Sequence, residues 1–235
     1  MVIIAAIIKN IKQKNKQALE KQTLKSDLIN IELKALRSQM NPHFIFNSLN
    51  SIQDLILQED TDASYDYIVL FSNLVRNILN YSNHQHITLE KEIEFLETYL
   101  QLETLRFGDD FHYVIKYQES QEVNIPSLII QPFVENALMH GLFHKKGIKN
   151  LEIIFELTDH LKCIIIDNGI GIKKSKEIRK RQGGNSSSFA LEAIKKRLSF
   201  LEDQYGNNIG FTTTDLYQND APCGTKIELI LPLIN

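Results

Sequence analysis

The spacing of apolar residues changes once along this chain, near residue 110, and this change limits the folds that the chain can adopt. Before that point apolar residues recur at helical spacing, as in Ile45, Leu49, Ile52 and Ile56. After it, β-branched and apolar runs predict strands, which we place at 113–117, 151–157, 163–166 and 227–231. Helical spacing returns only over 127–140 and 191–201. Helices segregated with a mixed or antiparallel sheet predict the α+β class, with the second half forming an α/β sandwich.

The N-terminal half predicts a helical region suited to dimerisation. Residues 10–37 read as one helix with a short coiled-coil seam, although a helix packed on its own domain fits the same pattern. Asp60-Thr61-Asp62 interrupts the next helical stretch and predicts a hairpin of two helices. Two such hairpins from a dimer would form a four-helix bundle. Thr88 is a suitable N-cap for a connecting helix that runs to about Arg106.

Composition excludes some classes of function. The chain has 235 residues, 43% of them hydrophobic, and a net charge of −3, which gives enough apolar material for a core and no general attraction to nucleic acid. We therefore expect no nucleic-acid partner. Cys163 and Cys223 lie far apart in or beside strand-like runs, which indicates reduced, structural thiols and a cytoplasmic protein.

The first eight residues, MVIIAAII, are apolar but too few for a membrane-spanning helix, which needs about 20 residues. Four lysines follow, as on the cytoplasmic side of a membrane helix. This pattern predicts a location at the inner face of the cell membrane, through an N-terminal anchor that is missing or truncated in this chain. A frayed N-terminal turn or a dimer contact explains the segment equally well.

His43 lies on a polar helical stripe with Asn47, Asn50 and Asp54, a face that the apolar stripe leaves free. A lone histidine on such a helix is ordinarily an unremarked surface residue. However, the run NPHFIFNSLN over residues 41–50 closely resembles the phospho-acceptor box of the LytS-like sensor histidine kinases. The resemblance implies that ATP phosphorylates His43 and that the phosphoryl group then passes to an aspartate of a response regulator.

Three separated segments indicate a nucleotide site. The run QPFVENALMHG over residues 131–141 places Glu135 beside Asn136, an amide oxygen suited to Mg²⁺ beside a carboxylate that orients a water or acts as a base. Asp167 follows a strand, and an aspartate there can accept a hydrogen bond from an exocyclic amine, although the sequence DNGIG alone also suits a simple turn. We expect no helix directly after these glycines. Gly224 and Thr225 offer a tight backbone approach and a hydroxyl.

In this order behind a histidine box, the three segments resemble the N, G1 and G3 boxes of the GHKL (Bergerat-type) ATPase domain. The resemblance implies that ATP and Mg²⁺ are the cofactors and that Asn136 holds the metal. It also implies that Asp167 reads the adenine amine, while Gly169 and Gly171 shape the pocket. His140 belongs to the first box, and Gly224 and Thr225 form the last.

The region that covers the phosphates in this family departs from the pattern. Ser188, Ala190 and Ala193 stand where relatives commonly have two glycines and an asparagine, and Met139 stands where many have a lysine. Losing glycines removes backbone freedom. The stretch GGNSSS over residues 183–188 remains rich in donors, so a remodelled lid could still cover ATP.

The sequence therefore predicts the core of a sensor histidine kinase with four segments. They are a linker helix at 1–32, a hairpin carrying the phospho-acceptor at 33–86, a connecting helix at 87–110 and a GHKL-type catalytic domain at 111–235. The expected partners are a second copy of the chain and a LytTR-type response regulator, with a membrane or sensor segment upstream. The alternative is a catalytically weakened pseudokinase that acts as a signalling scaffold.

Overall fold

A computed structural model describes residues 42–118, 123–181, 186–206, 208–218 and 221–234. For residues 42–43, 179–181 and 186–191 the description covers the backbone only. The predicted linker helix and the apolar N-terminal segment lie outside these residues. The chain divides into two units, Met1–Phe46 and Asn47–Asn235, and all the packing reported below lies within the second.

Three long helices precede the main sheet: α1 (Pro42–Leu57), α2 (Thr61–Ser82) and α3 (Leu89–Phe107). The Asp60 side chain accepts a hydrogen bond from the Ala63 amide at 3.0 Å and caps α2 at the predicted break. Thr88 accepts from the Lys91 amide at 3.3 Å, which confirms the predicted N-cap of α3. Among the described residues, none of the helices combines the length and apolarity needed to cross a membrane.

The remaining elements build a sheet with helices on one face. They are β1 (His86–Thr88), a 3-10 turn (Gly108–Asp110), β2 (Phe111–Lys116), β3 (Asn124–Pro126), α4 (Gln131–Asn136), a π-helical turn (Ala137–Leu142), β4 (Lys149–Leu157), β5 (Leu161–Asp167), α5 (Ile172–Arg181), α6 (Ser186–Tyr205), β6 (Gly210–Gln218) and β7 (Ala221–Leu231). The main sheet has the order β2-β4-β5-β7-β6, and β1 pairs with β3 in a separate ribbon. In the main sheet as described, the β2–β4 pair is parallel and the other three pairs are antiparallel.

Alternation along the strands separates a buried face from a charged face. On β5 the buried side chains include Leu161, Cys163 and Ile165, while Lys162 points the other way and pairs with Glu228 on β7 at 3.0 Å. Phe133 of α4 packs edge-to-face on Phe211 of β6 at 4.9 Å between ring centroids. Helices on one side of a mixed sheet confirm the predicted α+β class.

Two sequence expectations about helices are wrong. The predicted helix over 127–140 begins only at Gln131, because Leu128 has a left-handed backbone (φ 51°) that no α-helix tolerates. We expected no helix after the glycines, yet α5 follows them at once. Its charged sequence hides any apolar stripe, and the Asp215 carboxylate holds its start by accepting from the Ile172 amide at 2.5 Å.

Candidate nucleotide site

Asp167, the last residue of β5, is the centre of the candidate site. Its side chain is only 2% exposed, and its Oδ1 accepts a hydrogen bond from the Gly169 amide at 2.8 Å. The backbone and the hydroxyl of Thr225, its partner across the β5–β7 pair, donate to the same carboxylate. A carboxylate offers about four lone-pair positions. The Gly169 and Thr225 donors use some of them, and a donor from a ligand would use another.

Burial and the neighbouring donors shift the pKa of Asp167 in opposite directions. Burial raises the pKa of this carboxyl to about 6, from an ordinary value of 3.8. The hydrogen bonds from Gly169 and Thr225 and the positive charge of Lys145 act in the opposite direction. The group is therefore ionised at neutral pH and presents a buried acceptor, as an amine-reading residue requires.

Glycines surround Asp167 because nothing larger fits. A Cβ on Gly141 would lie 2.7 Å from Asp167 Oδ1, and one on Gly169 would lie 2.6 Å from both that oxygen and the Gly141 Cα. A Cβ on Gly224 would collide with the Asp167 carbonyl oxygen. The three sequence segments therefore meet at one point, with backbone against backbone around the carboxylate.

Gly171 lies at the edge of this cluster and has a positive φ of 78°. A Cβ there would approach Asp215 Oδ1 to 3.0 Å. Asp215 is a residue that the sequence analysis missed. It lies on a strand that was not predicted, and only the register of β6 against β7 brings it to the start of α5.

The helix of Glu135 and Asn136 enters the site from the other side. After Asn136 the helix widens into the π-helical turn that contains His140 and Gly141, a local geometry often found at functional sites. Burial first, and then the charge of Glu103, raises the pKa of the Glu135 carboxyl to about 7. Both Asn136 and His140 are half-buried. The wider turn brings the Gly141 carbonyl to accept from the Ile170 amide at 3.2 Å.

Two buried carboxylates lie on α3, and the sequence analysis missed both. Glu92 accepts from the backbone of Leu128 and Ile130, and Glu103 pairs with Arg106 at 3.0 Å. The signal was present: Glu92, Leu96, Tyr99 and Glu103 follow helical spacing, so both acids fall on the apolar stripe.

A clamp at Asn168 fixes the turn after Asp167. The Asn168 side chain accepts from the Asn150 amide at 2.8 Å and donates to the Ile148 carbonyl at 3.2 Å. Lys145 Nζ donates to the Asn168 carbonyl at 2.5 Å. Lys145 carried no sequence signal that separated it from a surface lysine.

Some predicted residues lie outside what the structure describes of this cluster. His43 lies in the first unit, and its side chain is outside the description. In the lid region, residues 183–185 are outside the described residues, while Ser188 and Ala190 lie in the helical backbone of α6. Ala193 is exposed on the same helix.

The donor set fits a nucleotide better than a tightly held metal. Within the described part of the chain, no group of three or more His, Cys, Asp or Glu side chains is placed to hold a metal ion. The glycine-walled acceptor at Asp167 suits a flat amine-bearing base. Asn136 with Glu135 suits Mg²⁺ that keeps several of its waters and is shared with phosphates.

Comparison with known proteins identifies relatives. The histidine kinase family model matches residues 31–111. The sensor histidine kinase/phosphatase LytS of Staphylococcus aureus is 32% identical over 192 residues, covering 77% of this chain and 32% of the relative. The chain thus spans about a third of the length of the curated relatives that it matches.

Solved histidine kinase structures give weaker matches to this chain. The histidine kinase domain of the Erythrobacter litoralis blue-light activated kinase is 12% identical with a TM-score of 0.46, over 88% of this chain and 96% of that one. The mycobacterial sensor histidine kinase MprB is 16% identical with a TM-score of 0.42, over 64% and 97%. Because these TM-scores are below 0.5, the family assignment rests on the sequence matches to the histidine kinase family model and to LytS.

Proposed function

Because this chain belongs to the histidine kinase family, as a LytS-like member, we propose that it is an ATP-dependent protein-histidine kinase of a two-component system. Its substrate would be its own His43, and an aspartate of a response regulator would then receive the phosphoryl group. The observation that carries the proposal is the buried carboxylate of Asp167, which lies against Gly141 and Gly169. In this proposal Asp167 accepts a hydrogen bond from the adenine amine of ATP.

The other site residues take roles that follow from their chemistry. Gly169, Gly171 and Gly224 let the backbone approach the base, and the Thr225 hydroxyl holds Asp167 in place. Asn136 would hold Mg²⁺ through its amide oxygen, and the bound ion would neutralise charge on the phosphates. Glu135 would orient a water or act as a base, and His140 would line the phosphate side of the site.

The transfer itself needs a neutral ring nitrogen on His43. Histidine has an ordinary pKa of about 6.5, so much of it is neutral near pH 7 without a strong base. The lone pair of that nitrogen attacks the γ-phosphorus in line, a nitrogen–phosphorus bond forms, and the bond between the γ-phosphorus and the β,γ-bridging oxygen breaks. ADP leaves with the electron pair. The proton on the other ring nitrogen can remain there or pass to water.

We also propose the partners and the location. The partners are a second copy of the chain, joined through the α1–α2 hairpin, and a LytTR-type response regulator that docks on the same helices. The proposed location is the cytoplasmic face of the cell membrane.

The second candidate function is a signalling scaffold that binds nucleotide without turnover. It is favoured by the lid region, where Ala193 is an exposed alanine rather than a polar contact. Met139 also favours it, since its sulfur faces the Arg106 guanidinium at 3.8 Å and offers no cation to a phosphate.

Incubation of the purified chain with γ-labelled ATP and Mg²⁺ separates these functions. We expect acid-labile label on the wild type and none on His43→Gln or Asn136→Asp. The His43→Gln protein should still bind ATP, because the residue is not part of the nucleotide site. ATP binding without label on the wild type would favour the scaffold, and absence of ATP binding would refute both.

A further inference from the structure

Behind the candidate site, three elements meet at the buried carboxylate of Glu92. This side chain on α3 is 0% exposed. Its Oε2 accepts from the Leu128 amide at 2.9 Å, and its Oε1 accepts from the Ile130 amide at 3.2 Å. Burial raises the pKa of Glu92 to about 7, and the backbone donors of residues 128, 130 and 131 and the charge of Arg197 oppose that rise.

The turn that Glu92 holds is strained. Leu128 is 2% exposed and has a φ of 51°, a left-handed conformation that side-chain-bearing residues avoid. Such a conformation persists only when the surrounding structure fixes it, and it is typical of functional sites. Here the turn Ser127–Ile130 leads straight into α4, the helix of Glu135 and Asn136.

A second charged group reaches the same turn from α6. Arg197 Nη2 donates to the Ser127 carbonyl at 2.8 Å, and its charge interacts with Glu92. Charge-assisted hydrogen bonds of this kind are stronger than neutral ones. Two side chains therefore hold the turn. The Glu92 carboxylate accepts from its amides, and the Arg197 guanidinium donates to its carbonyl.

We propose that Glu92 and Arg197 are positioning residues that hold the strained Ser127–Ile130 turn and thereby set the nucleotide affinity of the helix of Glu135 and Asn136. This inference rests on the proposed nucleotide-binding function and adds a route for regulating it. Glu92 lies on α3, which packs against α2 of the hairpin. Arg197 lies on α6, whose first turns form the lid region. A shift of either helix would therefore change the geometry of the turn.

The pair makes a sharp chemical prediction. Glutamine has the shape of glutamate but only one acceptor oxygen. In Glu92→Gln one of the two amides, Leu128 or Ile130, would face an NH₂ group and lose its partner. Arg197→Met removes the donor to Ser127, whereas Arg197→Lys keeps a positive charge and one donor.

The experiment measures amide hydrogen exchange and ATP affinity in the full chain. We expect faster exchange at the Leu128 and Ile130 amides in Glu92→Gln and in Arg197→Met. ATP affinity should fall roughly tenfold in each, the effect of losing one charged hydrogen bond. Because the two residues act on one turn, the double variant should bind ATP about as well as the weaker single variant. Arg197→Lys should recover part of the loss.

Glu103→Gln is the matched control for exchange, because it removes another buried carboxylate from the same helix without touching the turn. Unchanged exchange at both amides in Glu92→Gln, or affinity losses that multiply in the double variant, would overturn the proposal. If Glu92→Gln does not fold, Arg197→Met and Arg197→Lys decide the question. Absence of ATP binding by the wild type would refute the proposed function, while the exchange measurement would still test the grip on the turn.

Discussion

At the scale of single residues, the protonation of Asp167 determines what it can bind. The ionised carboxylate accepts a hydrogen bond from an amine more strongly than the protonated acid does. Its pKa of about 6 therefore predicts that ATP affinity is level at higher pH and falls by up to about tenfold per pH unit below that value. Titration calorimetry across this range measures the effect. Asp167→Asn should bind ATP more weakly than the wild type. The ratio of wild-type to variant affinity should decrease as the pH is lowered through about 6.

That ratio removes the titration of the ATP phosphates, which affects both proteins equally. A ratio that does not change with pH would show that Asp167 does not contact the base as an ionised acceptor.

The glycines around Asp167 give a second prediction at this scale. Gly169→Ala forces a Cβ to within 2.6 Å of the Gly141 Cα, and overpacking of this kind costs about 1–3 kcal/mol of unfolding free energy. We expect a loss of that size in urea unfolding, together with loss of ATP binding.

Gly210→Ala is its control, because a Cβ at Gly210 meets no described atom within 4 Å. It should change stability by no more than about 0.5 kcal/mol. Equal stability of the two variants would mean that the backbone contact between Gly141 and Gly169 is not as close as described.

At the scale of elements, α3 is a helix with two carboxylates in its buried face. Burial raises the pKa of Glu103 to about 7 from 4.5, with Arg106 opposing the rise. Because the folded pKa is the higher one, the folded state binds more protons between these two values, and stability falls as the pH rises through the window. Glu103→Gln cannot titrate. The unfolding free energy of this variant should therefore lack the pH dependence that Glu103 causes. For one proton that dependence is about 1.4 kcal/mol per pH unit.

Chemical unfolding at several pH values measures the slope. Glu94→Gln, an exposed acid on the same helix, should follow the wild type. An unchanged slope in Glu103→Gln would mean that Arg106 keeps the carboxylate ionised throughout this range.

The same helix shows how far sequence patterns reach. Its N-cap and extent follow from Thr88 and from apolar spacing, which are local signals. The burial of Glu92 depends on tertiary structure, because its carboxylate binds the turn at Leu128, 36 residues away. Likewise β6 has an exposed, threonine-rich pattern that resembles a loop, and only pairing with β7 makes it a strand. Asp167 and its glycines were predicted as site residues, and their functional roles await the binding experiments.

At the scale of the whole molecule, the α1–α2 hairpin has apolar side chains that the described part of the chain leaves exposed. They include Leu49, Ile56, Leu57, Tyr65 and Ile68, which are between 43% and 73% exposed. An apolar face of this kind on two neighbouring helices suits a four-helix bundle with a second copy. We therefore expect the purified protein to be a dimer, and a charge in the apolar face, as in Ile68→Glu, to dissociate it.

Sedimentation equilibrium measures the association, and Val114→Glu is the matched control. Val114 is 51% exposed but lies on β2, at the edge of the main sheet, so its substitution should leave the dimer intact. If phosphorylation occurs between subunits, label on His43 should decrease in Ile68→Glu in proportion to the dimer lost, while ATP binding to the isolated chain stays unchanged. A monomeric Ile68→Glu that labels itself at the wild-type rate would show that each chain phosphorylates its own histidine. A wild type that is monomeric at all concentrations would refute the dimer.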